Sequence, residues 1–315
     1  MELSIKGAAE MLKTLDNVSV FVHRNPDGDC LGSGYALCLI LRKLGKRAQV
    51  ISSDKMSEKF AEYFSKHDNH LFDAKSFISV DVAAADLLGN NADMAEKILL
   101  CIDHHPSNTG YAQNRIVDSQ AAATAEIVYL LAKELNVPMD KDIATAIYIG
   151  ILTDSGCFRF SCTTPRTHKI AAELMEYVTD FAEINRRFFA VKSKNRIAIE
   201  QSALSKLHYY EDGKIAVMPI TVKMREESGA ADDELDGVAS IPCEIEGVEI
   251  GVTLREKEKN MWRVSLRTAS YANASAICAV FNGGGHLRAA GCTVCGDFEE
   301  VRNRIVEVCR KELVD

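Results

Sequence analysis

The sequence predicts an α/β protein: a mostly parallel sheet covered by helices, joined by a helical connector to a smaller α/β domain. Three observations predict it. Short apolar runs alternate with helix-period segments through the first half, the order that a parallel sheet with crossover helices requires. From Asn185 to Leu207 the chain turns basic and helical, with Arg186, Arg187, Lys192, Lys194, Arg196 and Lys206 and neither Pro nor Gly. Strand and helix patterns then resume to the end. Domain boundaries follow: residues 1–185 for the first domain, 186–205 for the connector and 206–315 for the second domain.

Taken in order, the first domain reads as strand Val18–His23, helix Leu31–Leu44, strands Ala48–Ser52, Phe77–Asp81 and Ile98–Asp103, then helices Ala121–Leu135 and Lys141–Leu152. The run Ile98–Ile102 closed by Asp103 is continuously apolar, as strands buried on both faces are, and Phe77-Ile78-Ser79-Val80 before Asp81 reads as another buried strand. In the second domain, strands are expected at Lys214–Ile220, Ile245–Arg255 and Trp262–Arg267, and helices at Asp232–Ser240, Asn273–Phe281 and Phe298–Leu313.

Composition narrows the function. At 315 residues with 47% apolar content the chain can bury two cores without a disulfide or structural metal. Its ten cysteines lie scattered in apolar contexts such as Ala36-Leu37-Cys38-Leu39, where a thiol behaves as a small hydrophobe. Cys292-Thr293-Val294-Cys295 alone has metal-ligand spacing. With no second Cys or His pair at zinc-site distance, it reads as two alternating strand residues. No stretch reaches the ~20 apolar residues of a membrane span, and Met1–Lys6 lacks a basic region leading into an apolar core, so a cytoplasmic protein without a membrane partner is expected. A net charge of −8 excludes tracking of long duplex nucleic acid but leaves short oligonucleotides and nucleotides as ligands.

Four segments carry metal-competent side chains to predicted strand or helix ends. His23-Arg24-Asn25-Pro26-Asp27-Gly28-Asp29 closes the first strand, and glycines 28, 32 and 34 behind it would let backbone approach an anion. Asp81 closes another strand. Asp103-His104-His105 closes a third, and Asp154, followed by Gly156 and Arg159, closes a helix. Buried unpaired, such groups cost several kcal/mol, whereas open α/β sheets bind ligands at this edge. Imidazoles and carboxylates without thiolate suit Mn²⁺, Mg²⁺ or Co²⁺, and six or more ligands exceed what one such ion needs, so two ions are expected. Farther on, Asn282-Gly283-Gly284-Gly285-His286 follows a predicted helix and could present backbone N–H groups to an anion. No Lys-Ser/Thr follows, so it is not a Walker loop.

Together, His-x-Asn-Pro-Asp-x-Asp, Asp81, Asp-His-His, the Asp154 segment and Gly-Gly-Gly-His resemble the DHH phosphoesterases that carry a C-terminal DHH-associated domain, the branch of the oligoribonuclease/pAp phosphatases. The resemblance implies two Mn²⁺ ions, one held by His23, Asp27 and Asp81 and the other by Asp29, Asp81, His104 and Asp154, with Asp81 bridging. It implies His105 beside the scissile phosphate with Asp103 in support, and phosphate binding by Arg267 and Gly283, Gly284, Gly285 and His286 across an interdomain cleft, with Arg159 on the other side. The expected function is hydrolysis of very short oligonucleotides to mononucleotides, of pAp to AMP and phosphate, or of both, by hydroxide generated between two metals. The alternative is a phosphodiesterase for cyclic di-AMP or linear pApA. A sensing module without chemistry conflicts with the complete ligand set, and the lysine-bearing signature of related pyrophosphatases is missing. The sequence leaves room for a homodimer.

Overall fold

A computed structural model describes residues 1–68, 71–235 and 237–314. The chain divides into two compact units, Met1–Val191 and Lys192–Asp315, a division inside the basic stretch read as a connector. Unit 1 contains α1 (Ile5–Thr14), β1 (Val18–Phe21), α2 (Gly28–Lys43), β2 (Ala48–Ile51), α3 (Glu58–Phe64), β3 (Ser76–Val80), β4 (Leu100–Asp103), β5 (Asn114–Val117), α4 (Thr124–Glu134), α5 (Lys141–Asp154), α6 (Pro165–Met175) and α7 (Phe181–Asn185). Unit 2 contains α8 (Lys194–Leu204), β6 (His208–Tyr210), β7 (Ile215–Ile220), α9 (Val222–Ser228), β8 (Ile250–Glu258), β9 (Met261–Thr268), α10 (Ala274–Ala279), β10 (Gly284–Gly285), β11 (Ala289–Cys295) and α11 (Phe298–Arg310).

Among the described residues, unit 1 is built on a five-stranded sheet in the order β2-β1-β3-β4-β5, every pair parallel. All four residues of β1 and of β4 are buried, which accounts for their mostly apolar composition, Ser19 and Asp103 excepted. The edge strand β5 buries only Ile116, so its sequence gives little strand signal. Helix α2 is buried on nearly every side between the sheet, α4 and α5. Its approach to α5 depends on glycine. A Cβ at Gly32 would lie 2.4 Å from the Ala146 carbonyl oxygen, and one at Gly28 would lie 2.3 Å from Thr153 Oγ1.

Unit 2 has a mixed sheet in the order β10-β11-β9-β8-β7-β6, antiparallel except for the β7–β8 pair. One face packs Val217, Val252, Leu254, Val264 and Leu266 against Ile277 of α10 and Val301 and Ile305 of α11. The other face is covered at β7, where Met218 and Ile220 meet Ile199 and Ala203 of α8. On β9 and β11 the residues of that second face are half-buried or exposed.

One expected element is replaced. Instead of a helix over Asp232–Ser240, the chain forms short 3₁₀ segments, Asp233–Leu235 and Val238–Glu244. Gly237 between them takes a left-handed φ of 78° that ends any α-helix there, and Asp236 lies outside the described residues. Cys292 and Cys295 fall on opposite faces of β11, and all ten cysteines are free. No helix among the described residues is long and apolar enough to cross a membrane.

Candidate active site

Because the strands of unit 1 are parallel, their carboxyl ends share one edge. There β1 leads through α2 outward to β2 while β3 lies on its other side, so the order reverses between them, the position at which open α/β sheets bind ligands. His23 follows β1, Asp81 follows β3, and Asp103 ends β4 with His104 and His105 directly after it. Asp81 turns away from its strand at φ 58°, a conformation rare for a non-glycine residue, with its N–H donating to the Ile102 carbonyl at 2.9 Å. Asp27 caps α2 by accepting from the Cys30 N–H at 3.0 Å, Asp29 sits in that helix's first turn, and Asp154 is the last residue of α5.

These elements converge. His23 Nε2 lies 3.6 Å from Asp27 Oδ1 and 3.7 Å from Asp81 Oδ2. His104 Nε2 lies 3.3 Å from Asp154 Oδ2, 3.7 Å from Asp81 Oδ1 and 4.0 Å from Asp29 Oδ2. Both imidazoles are oriented from behind, since His23 Nδ1 meets the Arg24 carbonyl at 2.8 Å and His104 Nδ1 meets that of Ala121 at 3.2 Å. A proton on each Nδ1 leaves the Nε2 lone pair facing the carboxylates, the arrangement of a metal-ligating histidine. His105 is held differently: its Nδ1 lies 2.8 Å from Asp103 Oδ1, and the other oxygen of Asp103 accepts from Asn108 Nδ2 at 2.6 Å.

Burial and mutual repulsion set the charges. Burial, then the carboxylates of Asp29 and Asp27, pushes Asp81 up to about 7. Burial and the neighbouring Asp29, Asp81 and Asp27 push Asp154 up to about 9. For His23, burial opposes the proton, but the hydrogen bond to Asp27 and the charges of Asp27 and Asp81 prevail and raise it to about 9. Asp103 goes the other way: bonds from His105 and Asn108 outweigh burial and keep it ionised. Four carboxylates pressed around two imidazoles, with no Lys or Arg hydrogen-bonded or ion-paired to any of them among the described residues, call for cations. Donor atoms lie within 4.8 Å of one another in three groups: His23, Cys30 and Asp81; Asp81, His104 and His105; Asp29, His104 and Asp154. Asp81 belongs to two of them, and the oxygen- and imidazole-rich set fits hard divalent ions.

The sequence reading missed three contributors. Thr124 donates its hydroxyl to Asp81 Oδ1 at 2.9 Å, while its N–H and that of Ala125 cap Asp29 at 2.6 and 3.0 Å, so α4 begins on a site carboxylate. Cys30 Sγ accepts the His23 N–H at 3.2 Å. Asn108 braces Asp103 from a loop whose sequence carries no signal for it. Glycines 28, 32 and 34 also differ from expectation: they make room for Thr153, Ala146 and Val22 rather than opening backbone to an anion.

Arg159 lies just past α5, its Nε donating to the Gly156 carbonyl at 2.7 Å and its guanidinium 5.8 Å from the centre of the Phe189 ring. In unit 2, Arg267 is half-buried on β9 and donates through Nη1 to the Leu266 carbonyl at 3.0 Å. The glycine loop is a tight hairpin. Gly283 N–H donates to the Cys278 carbonyl at 2.9 Å, His286 N–H donates to that of Ala289 at 2.8 Å, and Gly284 and Gly285 pair with Gly291 and Ala290. Two of the N–H groups expected to form an anion nest are thus already committed, while Gly284, Gly285 and His286 are exposed.

Comparison with known proteins places this arrangement. Residues 17–151 match the DHH family N-terminal domain and residues 212–314 match the DHHA1 domain. The chain is 32% identical over 310 residues, 97% of its length and 93% of the relative's, to the bifunctional oligoribonuclease and PAP phosphatase NrnA of Thermus thermophilus. It is 26% identical over 183 residues, 54% of its length and 57% of the relative's, to a probable manganese-dependent inorganic pyrophosphatase of Streptococcus thermophilus. An exopolyphosphatase-related protein from Bacteroides fragilis shares the fold with a TM-score of 0.90 at 24% identity, covering 98% of this chain and 95% of its own. The chain belongs to the DHH phosphoesterase family, its DHH domain followed by a DHHA1 domain.

Proposed function

We propose that this protein is a manganese-dependent phosphoesterase that hydrolyses very short oligonucleotides to mononucleotides and pAp to AMP and phosphate. The observation that carries the reading is the sharing of Asp81 between two donor groups at the sheet's carboxyl edge. His23, Asp27 and Asp81 would hold one ion and Asp29, Asp81, His104 and Asp154 the other; Mg²⁺ or Co²⁺ fits the same donors. Bound there, the ions supply Lewis-acid charge to phosphoryl oxygens and acidify a water molecule.

The chain's own groups do the positioning. Asp103 holds a proton on His105 Nδ1 and fixes the ring plane, so that Nε2 is aimed by the fold and can meet a phosphoryl oxygen. Thr124 and the N-terminus of α4 hold Asp81 and Asp29 in place before substrate arrives. In unit 2, Arg267, Gly283, Gly284, Gly285 and His286 would bind a substrate phosphate; in unit 1, Arg159 is a candidate anion-binding group of its own. The free state of all ten cysteines supports a reducing, cytoplasmic setting.

A panel of pAp, pApA, cyclic di-AMP, pyrophosphate and RNA of two to five nucleotides, assayed with Mn²⁺, tests this. Mononucleotide release from the short RNAs and phosphate release from pAp are expected. Preferential turnover of cyclic di-AMP or pyrophosphate would overturn the substrate assignment.

A further inference from the structure

A single stretch of unit 1, residues 118–126, holds several groups of the carboxyl-edge site. After β5, the Asp118 N–H donates to the Asp103 carbonyl at 3.1 Å. The Ala121 carbonyl meets His104 Nδ1, the Thr124 hydroxyl reaches Asp81, and the Thr124 and Ala125 N–H groups cap Asp29. Asp29, Asp81 and His104 thus all take support from this one segment. It is irregular until α4 begins, and Ala123 at the N-cap of that helix supplies no capping side chain. Something else must fix it.

The brace comes from α6. Arg166, in the first turn of that helix, has Nε 2.8 Å from Glu126 Oε2 and Nη1 2.9 Å from Asp118 Oδ2. One guanidinium therefore bridges the two ends of the segment. Thr167 beside it donates its hydroxyl to Glu126 Oε1 at 2.6 Å and accepts the Thr164 N–H at 3.0 Å within the capping box of α6. Glu126 is completely buried, where an unanswered carboxylate would cost several kcal/mol. It belongs to none of the three donor groups, so a metal does not explain its burial. A planar fork that meets two carboxylates at once is a geometry that lysine cannot supply.

We propose that Arg166 is a positioning residue for the two-ion centre. By tying Asp118 to Glu126 it holds the segment between them against Asp29, Asp81 and His104, although its own ion pairs go to neither those carboxylates nor that imidazole. The ion assigned to Asp29, Asp81, His104 and Asp154 depends on this strap through three of its ligands. The ion assigned to His23, Asp27 and Asp81 depends on it through Asp81 alone. Loss of the strap therefore loosens the former far more than the latter. The inference rests on the ligand assignment above and adds to it a residue that governs the two sites unequally.

The test reads the segment and the metal separately. Arg166→Lys keeps the charge and removes the fork; Asp118→Asn, at a half-buried residue, removes one arm and decides the matter if the first variant does not fold. In full-length metal-free protein, hydrogen exchange of the Thr124 and Ala125 amides should accelerate about tenfold or more in either variant, while that of Leu131 in the middle of α4 changes far less. Mn²⁺ is then titrated and the free metal counted by electron paramagnetic resonance. One of the two ions should bind about 10- to 100-fold more weakly, the usual cost of losing an outer partner of a ligand, and the other should change by no more than about threefold. Unchanged amide exchange, unchanged affinities or equal weakening of both ions would overturn the proposal. So would acceleration that includes Leu131, the mark of a fold that is merely less stable. A wild type that takes up a single ion would instead defeat the two-ion assignment, and the amide exchange would still test the strap.

Discussion

Asp103 illustrates how little of a site residue's role depends on reaching a ligand itself. Completely buried at the end of β4, it takes the His105 ring on one oxygen and Asn108 on the other, and its Oδ1 also accepts the backbone N–H of His104. Asp103→Asn keeps the volume but replaces one acceptor oxygen with a donor facing Asn108 or His105. The expected outcome is a fall in kcat of about 10- to 100-fold, the usual cost of losing an orienting partner, with Mn²⁺ affinity changed far less. Steady-state kinetics beside a metal titration would separate the two. An equal loss in metal affinity would place Asp103 among the ligands instead.

At the scale of elements, the site depends on α2 and α5 packing closely enough to bring Asp29 near Asp154. Gly32→Ala would drive a Cβ into the Ala146 carbonyl, a contact of 2.4 Å that backbone must move to relieve. A loss of about 1–3 kcal/mol in denaturant unfolding is expected, as for other overpacked cores, together with weaker metal binding as α5 shifts. An unaltered midpoint would mean that this contact does not govern the spacing. The elements legible from sequence were apolar stretches buried on nearly every side, such as β1, β4, α2 and α5. Strand β5 was not, because a single buried residue leaves no period to read. The helix expected over Asp232–Ser240 failed because apolar spacing was allowed to outweigh Gly237. Site residues were legible wherever an acid or imidazole closed an apolar run. Thr124, Cys30 and Asn108 were not, since a hydroxyl at a helix start, a thiol in a buried helix and an amide in a loop are commonplace in any core.

For the whole molecule, the crowded carboxylates couple stability to pH and metal. Asp81 and Asp154 are raised to about 7 and about 9, and His23 to about 9. A raised value means the folded state holds its proton more tightly than the unfolded state does. The stability this contributes is present at low pH and is lost as pH rises through those values. The three groups act in the same direction, so the metal-free protein should lose thermal stability as pH rises from about 4, the ordinary carboxylate range, to about 9. Mn²⁺ takes the place of those protons, and at 100 times its Kd each bound ion should restore about 2.7 kcal/mol. The increase in Tm caused by Mn²⁺ should therefore grow with pH over that interval. A metal-independent Tm, or an increase that shrinks with pH, would contradict the assignment of these residues as ligands.

The measurement that bears most directly on the two-ion centre is the number of Mn²⁺ ions bound per chain, counted by equilibrium dialysis with electron paramagnetic resonance of the bound metal. The wild type should bind two ions whose spins are coupled, because one carboxylate, Asp81, belongs to two of the three donor groups. Asp81→Asn should bind no more than one, uncoupled, and should lose Mn²⁺-dependent phosphate release with it. A single ion in the wild type, or two uncoupled ions unaffected by Asp81→Asn, would contradict the shared-carboxylate centre on which the proposed chemistry depends.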